Sequence, residues 1–189
     1  MERRDGMGKN DAKCLWATCG TPIGELTMAS DGESLVGLWI EGQRYHGGPA
    51  RGLPEAADGM PLFRDVTSWL NAYFAGKRPS VPDLPLAPCG SDFRQAVWGV
   101  LREIPYGETV TYGQIARLLE EAGGKASARA VGGAVGHNPI SVIIPCHRVI
   151  GAGGNLTGYA GGIKVKSRLL ALEGVDLSSL YFPKRGTAL

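Results

Sequence analysis

No stretch of the 189-residue chain is apolar for long enough to span a bilayer, so a membrane-spanning helix is not expected. The first residues, Met1 to Lys13, are polar and charged and lack the apolar centre of a secretory signal. They read as a frayed tail, 1–13, on a cytoplasmic protein. Cysteine is scarce: Cys14, Cys19, Cys89 and Cys146 form no CxxC pair and no zinc-type spacing. Without an export signal a disulfide framework is not expected, and no metal site is expected either. Cys14, Cys19 and His46 come nearest to a ligand set. Acid is missing from Ala122 to Leu172, a window that holds Lys125, Arg129, Arg148, Lys164, Lys166 and Arg168. The net charge is only +2, but a surface drawn from that window is positive, as a phosphate-binding face must be. A solvated face that merely lacks acids is the weaker alternative.

What is present fits a soluble globular protein of one medium domain or two small ones, with 43% hydrophobic and 20% charged residues. Short apolar or alternating runs at Leu15–Thr18, Glu25–Met28 and Leu35–Ile40, punctuated by Thr21-Pro22 and Asp31-Gly32, predict a small antiparallel sheet. Residues 45–59, rich in Gly and Pro, read as loop. Leu62, Val66, Trp69, Leu70 and Tyr73 recur at three- and four-residue steps and predict a helix over Pro61–Ala75, stopped by Gly76. Its aromatics read as core. Pro79, Pro82, Pro85 and Pro88 then favour an extended, stiff spacer. The predicted organisation is therefore an N-terminal α/β domain over 14–76, a linker over 77–90 and a second domain over 91–182.

The second half opens with a helix from about Ser91, its N-cap, to Glu103, with an apolar stripe of Phe93, Val97, Val100, Leu101 and Ile104. Thr111 and Gln114 fit a capping box for a helix that runs to about Glu121. Ser127 caps the next, Ala128 to about Gly136, and the pair reads as helix-turn-helix. Ala128, Ala130, Gly132, Gly133, Ala134 and Gly136 leave this last helix almost no bulk, and Arg129 is its only charge. Such a helix either packs tightly inside the protein or lies in a DNA groove with one arginine reaching the bases. From the helix itself both readings stand evenly.

The stretch Ile143–Ile150 places Cys146 beside His147, with Arg148 next and apolar residues on both sides. A thiol near the core with an ionisable neighbour suits a nucleophile, because the thiolate is the reactive form. An inert buried cysteine is the plainer reading. A last helix is predicted over Ile163–Glu173, where Ile163, Lys166, Leu170 and Glu173 share a face. An acid at a helix C-terminus opposes the dipole. Glu173 is thus either exposed and idle or held inward by a donor such as His147.

Pro145-Cys146-His147-Arg148-Val149 resembles the active-site signature of the O6-alkylguanine-DNA alkyltransferases, the methylated-DNA–protein-cysteine methyltransferase family. Ile104–Val110, Ala128–Gly132, Asn138-Pro139 and Tyr159–Gly162 resemble further motifs of that family, in the right order. The resemblance implies an α+β, two-domain protein: a ribonuclease-H-like small antiparallel sheet with a helix, then a mostly helical, winged-helix-like domain carrying the site. It implies single-turnover repair of O6-methylguanine, and of O4-methylthymine, in flipped-out bases of double-stranded DNA. No cofactor is implied, and a monomer is expected.

By the same resemblance Cys146 is the alkyl acceptor, His147 the base acting through a water, and Glu173 its orienter. Asn138 is the hinge asparagine, and Tyr112 donates to the guanine. Arg129 enters the vacated stack. The carbonyls of Cys146 and Val149 read the guanine amino group, Tyr159 walls the pocket, and Lys166 lies near the nucleophile. Lys125, Ser127, Ala128 and Ala130 join Arg129 on the DNA face. Ala160 departs from the pattern, since some members carry a serine there; only its backbone N–H can serve O6. Residues 120–127 are longer than in many relatives. Two other classes compete. A lesion-flagging binder lacks the acceptor cysteine, which is present here. A thiol hydrolase needs an oxyanion hole and turnover, and side-by-side Cys and His are poorly placed for direct proton transfer.

Overall fold

The computed structural model describes residues 14–48, 54–57, 59–81 and 84–182. The tail 1–13 and Pro82 lie outside the described residues. Three strands run antiparallel in sequence order: β1 (Cys14–Thr21), β2 (Gly24–Ser30) and β3 (Leu35–Ile40). A fourth, β4 (Pro54–Ala56), pairs parallel to the other edge of β1, giving the order β3-β2-β1-β4. The loop expected over 45–59 is corrected there. Three residues carry no periodicity, and the pairing comes from an open strand edge remote in sequence. Helix α1 (Pro61–Phe74) turns Leu62, Phe63, Val66, Trp69, Leu70 and Tyr73 inward. Each side chain so buried stabilises by roughly 1.5–3 kcal/mol.

The proline-rich segment is not a free spacer. Leu84 is buried, the Leu35 N–H donates to Pro85 O (2.8 Å) and the Ala87 N–H to Leu35 O (2.9 Å). Prolines lack the donor but keep the acceptor, so they can line a sheet edge. Further along the same strand, the Leu38 N–H donates to Pro139 O and the Ser141 N–H to Leu38 O, both at 2.8 Å. The outer edge of β3 thus receives two stretches of the later chain, which covers it against mispairing. It also fixes residues 139–141 to the sheet.

In the second half, α2 (Asp92–Arg102), α3 (Tyr112–Glu121) and α4 (Ala128–Gly136) pack on one another. Ser91, Thr111 and Ser127 cap them through side-chain bonds to the backbone, and Thr111 and Gln114 complete the capping box. The Trp98 indole donates to Ala134 O (2.9 Å), locking α2 to α4. A short parallel pair, β5 (Val110–Thr111) with β6 (Val149–Ile150), ties the start of α3 to the chain after Cys146. Helix α5 (Ile163–Leu172) closes the fold. One apolar cluster runs through both halves, from Leu26 and Tyr73 to Val97, Ile144 and Leu169. No helix among the described residues is long and apolar enough to cross a membrane.

Candidate active site

Asn138 follows α4 and organises the turn that ends at the cysteine. Its Oδ1 accepts from the Ile140 N–H (3.0 Å), and its Nδ2 donates to Ile144 O (2.8 Å) and to Cys146 Sγ (3.0 Å). Between them the backbone is tightly folded. Val142 sits at φ 70°, and the Ile143 N–H reaches Ser141 O at 2.8 Å, a γ-turn of the strained hand. A β-branched residue there costs roughly 1–3 kcal/mol, tolerable only where the surroundings dictate it. Pro145 (φ −81°, ψ 61°) makes the opposite γ-turn and delivers Cys146 into a 3-10 turn, Cys146–Arg148.

Cys146 is 3% exposed, and burial pushes its thiol up to about 11 against the pull of the Asn138 amide and the Lys166 charge. At neutral pH the protonated thiol therefore predominates. Lys166 is fully buried on α5, and burial lowers its ammonium to about 8, opposed by the cysteine's charge. Its Nζ donates to Val149 O and to Thr157 O. The Cys146 carbonyl accepts from the Val149 N–H.

His147 has no exposed surface, and burial holds it neutral, with its pKa below the ordinary histidine value. Its Nε2 lies 2.7 Å from Glu173 Oε1, which places the proton on Nε2 and leaves Nδ1 as the lone-pair nitrogen. Among the described residues Nδ1 has no partner. Glu173 is turned inward at the end of α5. Burial alone would raise its carboxyl, but hydrogen bonds from His147 and Arg148, and the Arg148 charge, hold it well below the usual carboxylate range. Arg148 donates through Nε to Oε2 (2.8 Å) and through Nη2 to Oε1 (2.9 Å), and the Gly107 N–H donates to Oε2 (3.1 Å). These donors outweigh the unfavourable end of the helix dipole.

Of the remaining residues expected at the site, Tyr159 and Tyr112 stand beside this cluster. Tyr159 is buried edge-on to the His147 ring, with centroids 6.5 Å apart. The Tyr112 hydroxyl donates to Thr157 O (3.1 Å) and Gly158 O (3.3 Å). Gly158 sits at φ 77°, a conformation that favours glycine, and a Cβ there would stand 2.3 Å from that hydroxyl. Ala160 O accepts from the Arg44 N–H (3.1 Å). Beside it opens a cleft of about 270 Å³, lined by Arg44, Tyr45, Gly132, Gly133, His137 and Gly158. Lys125, Ser127, Ala128, Arg129 and Ala130 do not join the buried cluster; they form the exposed first turn of α4 and its approach. That helix buries Val131, Ala134 and Val135 while exposing Arg129, Ala130 and Gly133.

Cys14 and Cys19 lie on β1, five residues apart and so on opposite faces, and the His46 ring bonds Thr27 Oγ1 (3.2 Å). Among the described residues no trio of ligating side chains converges. Sequence reasoning missed Gly107, Arg148 and Tyr73 as partners of Glu173. Arg148 was signalled by its place beside His147. Tyr73 was indistinguishable from its neighbours on an apolar stripe.

Two family models divide the chain between them. "6-O-methylguanine DNA methyltransferase, ribonuclease-like domain" matches residues 14–88, and "6-O-methylguanine DNA methyltransferase, DNA binding domain" matches residues 92–175. The chain belongs to the 6-O-methylguanine DNA methyltransferase family. The methylated-DNA–protein-cysteine methyltransferase of Mycobacterium tuberculosis is 47% identical over 158 residues, 84% of this chain and 91% of that protein. The enzyme of the same name from Haemophilus influenzae is 43% identical over 153 residues, 81% of this chain and 82% of its own. The crystal structure of Mycobacterium tuberculosis OGT in complex with DNA superposes with a TM-score of 0.74 at 45% identity, covering 88% of this chain and 94% of that one. The family's two-part α+β architecture is the one described above.

Proposed function

We propose that the protein repairs O6-alkylguanine in double-stranded DNA by moving the alkyl group irreversibly onto Cys146. The observation that carries this is the buried Asn138–Cys146 contact set beside a neutral His147 whose outer nitrogen is anchored on Glu173. Neither the relatives' names nor the fold alone assigns these roles to residues. The α4 face of small residues enters the minor groove, and Arg129 fills the stack as the damaged base swings out. The base enters past the loop at 157–160, and Tyr112 exchanges its bonds to that loop for one to the guanine. The carbonyls of Cys146 and Val149 read its amino group.

The thiol proton passes through a water to Nδ1 of His147, and Glu173 stabilises the imidazolium. The nearby Lys166 charge favours the thiolate. The sulfur forms its bond to the alkyl carbon as the O6–carbon bond breaks. The electron pair stays on O6, and the guanine takes a proton through Tyr112, made good from the imidazolium. The thioether has no easy way back, so each molecule reacts once, as a monomer and without a cofactor. O4-methylthymine is a second substrate on this reading. The division into a first domain over 14–76 and a DNA-binding domain over 91–182, joined by 77–90, is part of it.

The test is intact-mass and peptide mapping after incubation with duplex DNA carrying O6-methylguanine. One methyl should appear on Cys146, and Cys146→Ala should bind the duplex while leaving the lesion intact. Repair that leaves the sulfur bare, or normal transfer by the variant, refutes the assignment.

A further inference from the structure

Tyr73 lies on α1, in the half of the chain that does not carry the nucleophile. It is 1% exposed, yet its hydroxyl reaches across to Glu173 Oε1 at 2.7 Å and stands 3.4 Å from His147 Nε2. Its ring stacks on Trp69 (5.4 Å, 8° between planes) and meets Phe74 and Tyr106 edge-on. Phenylalanine would serve that packing equally well. The hydroxyl is the part that needs a reason, because a buried O–H is costly unless it is bonded. Charge neutralisation alone does not call for it. Arg148 already donates twice to Glu173, and Gly107 once.

We propose that Tyr73 is a positioning residue for the alkyl transfer, its hydroxyl fixing Oε1 of Glu173 against Nε2 of His147 from the opposite half of the molecule. This rests on the reading of Cys146 as alkyl acceptor. Oε1 takes donors from three directions: His147 Nε2, Arg148 Nη2 and Tyr73. The first two come from the turn that also bears the cysteine. Tyr73 alone is carried by a separate element. Its helix packs on β1, and the same sheet holds residues 139–141 along β3. Ser141 adds a bond through its hydroxyl to Gln43 (2.9 Å), whose Oε1 also accepts from the Ile40 N–H. Both ends of the proton path are therefore referenced to one rigid body. The nucleophile's turn rests on β3, and the carboxylate behind the base rests on α1. A relay through a bridging water needs such a reference, since misplacement by an ångström costs rate steeply.

The groups facing His147 are Glu173 and Lys166 from α5, Arg148 from its own turn, Tyr159 from the following loop and Tyr73 from α1. Removing the Tyr73 hydroxyl leaves the Glu173 charge less satisfied, so it stabilises the imidazolium more. Tyr73→Phe should slow single-turnover methyl transfer roughly tenfold and move the acid limb of its pH–rate profile to higher pH. Duplex affinity should not change. Incorporating 3-fluorotyrosine at position 73, a stronger donor in the same shape, should move that limb to lower pH. A folded Tyr73→Phe protein with an unmoved limb overturns the proposal, whether or not its rate falls, because packing damage alone would not shift it. If that variant does not fold, an unmoved limb in the fluorotyrosine protein overturns it. Wild-type protein that never gains a methyl sinks the reading of Cys146 and this inference together; wild type that reacts while the variants match it sinks the inference alone.

Discussion

Cys146 holds its proton and His147 lacks one, and burial is the first cause of both states. The pair is thus set for a proton to move between them, in a place where neither charge forms without help. On the mechanism proposed above, this fixes the pH dependence of the reaction. Protonating His147 removes the base, and its pKa lies below the ordinary 6.5. The transfer rate should therefore hold steady near neutrality and fall only as pH drops beneath that value. On the alkaline side Lys166 loses its charge near 8 and with it the attraction for the forming thiolate. The rate should decline there, giving a bell. Single-turnover methyl transfer measured across that range checks both limbs. An acid limb above neutrality would mean that burial does not hold His147 neutral, and a rate that keeps climbing past pH 9 would mean that direct ionisation of the Cys146 thiol outweighs the loss of the Lys166 charge.

Among the elements, α4 serves two faces with opposite demands. Its buried side locks onto α2 and α3, and on the function proposed above its exposed side must stay low to enter a groove. Gly133 lies on that outer side, at negative φ, and a Cβ added there meets nothing within 4 Å among the described residues. Gly133→Ala should stabilise the free protein by about 0.5–1 kcal/mol, because glycine is the poorer helix former. The same methyl should weaken duplex binding if this face meets DNA. Melting temperature and duplex affinity should move in opposite senses; a stabilised variant with unchanged affinity would take α4 out of the interface. Local signals made such elements legible. The caps at Ser91, Thr111 and Ser127 and the stripe of α1 each depend on residues within a few positions, and the sequence displays them directly. The pairing of β4 with β1 and of β5 with β6 depends on edges far away in the chain, where three or two residues carry no pattern. The site divides the same way. Cys146, His147 and Asn138 announce themselves in adjacent motifs, and the helical period brought Lys166 and Glu173 onto one face. Tyr73 bonds Glu173 across a hundred residues, and only its neighbours in space distinguish it from core.

At the scale of the whole molecule, two family domains share one apolar cluster and one strand edge. Leu35 and Leu38 on β3 bond to residues 85–87 and 139–141. Opening the first half would therefore strip bonding partners from the turn that holds Cys146, and opening the second would bare the edge of β3. Each half also buries apolar surface that only the other covers, among it the Tyr73 ring against Tyr106. Coupling of this kind makes independent unfolding costly, so the protein should melt in a single transition despite its two-domain sequence. The tryptophans allow this to be measured. Trp16, Trp39 and Trp69 lie in the first half, and Trp98 lies in the second. In a Trp98→Phe variant fluorescence reports the first half alone, while exchange of the α4 amides reports the second. The two denaturation midpoints should coincide, and the calorimetric and van't Hoff enthalpies should agree. Separated midpoints would show that β3 holds the active-site turn only loosely. The sheet would then be no fixed reference for the chemistry at Cys146.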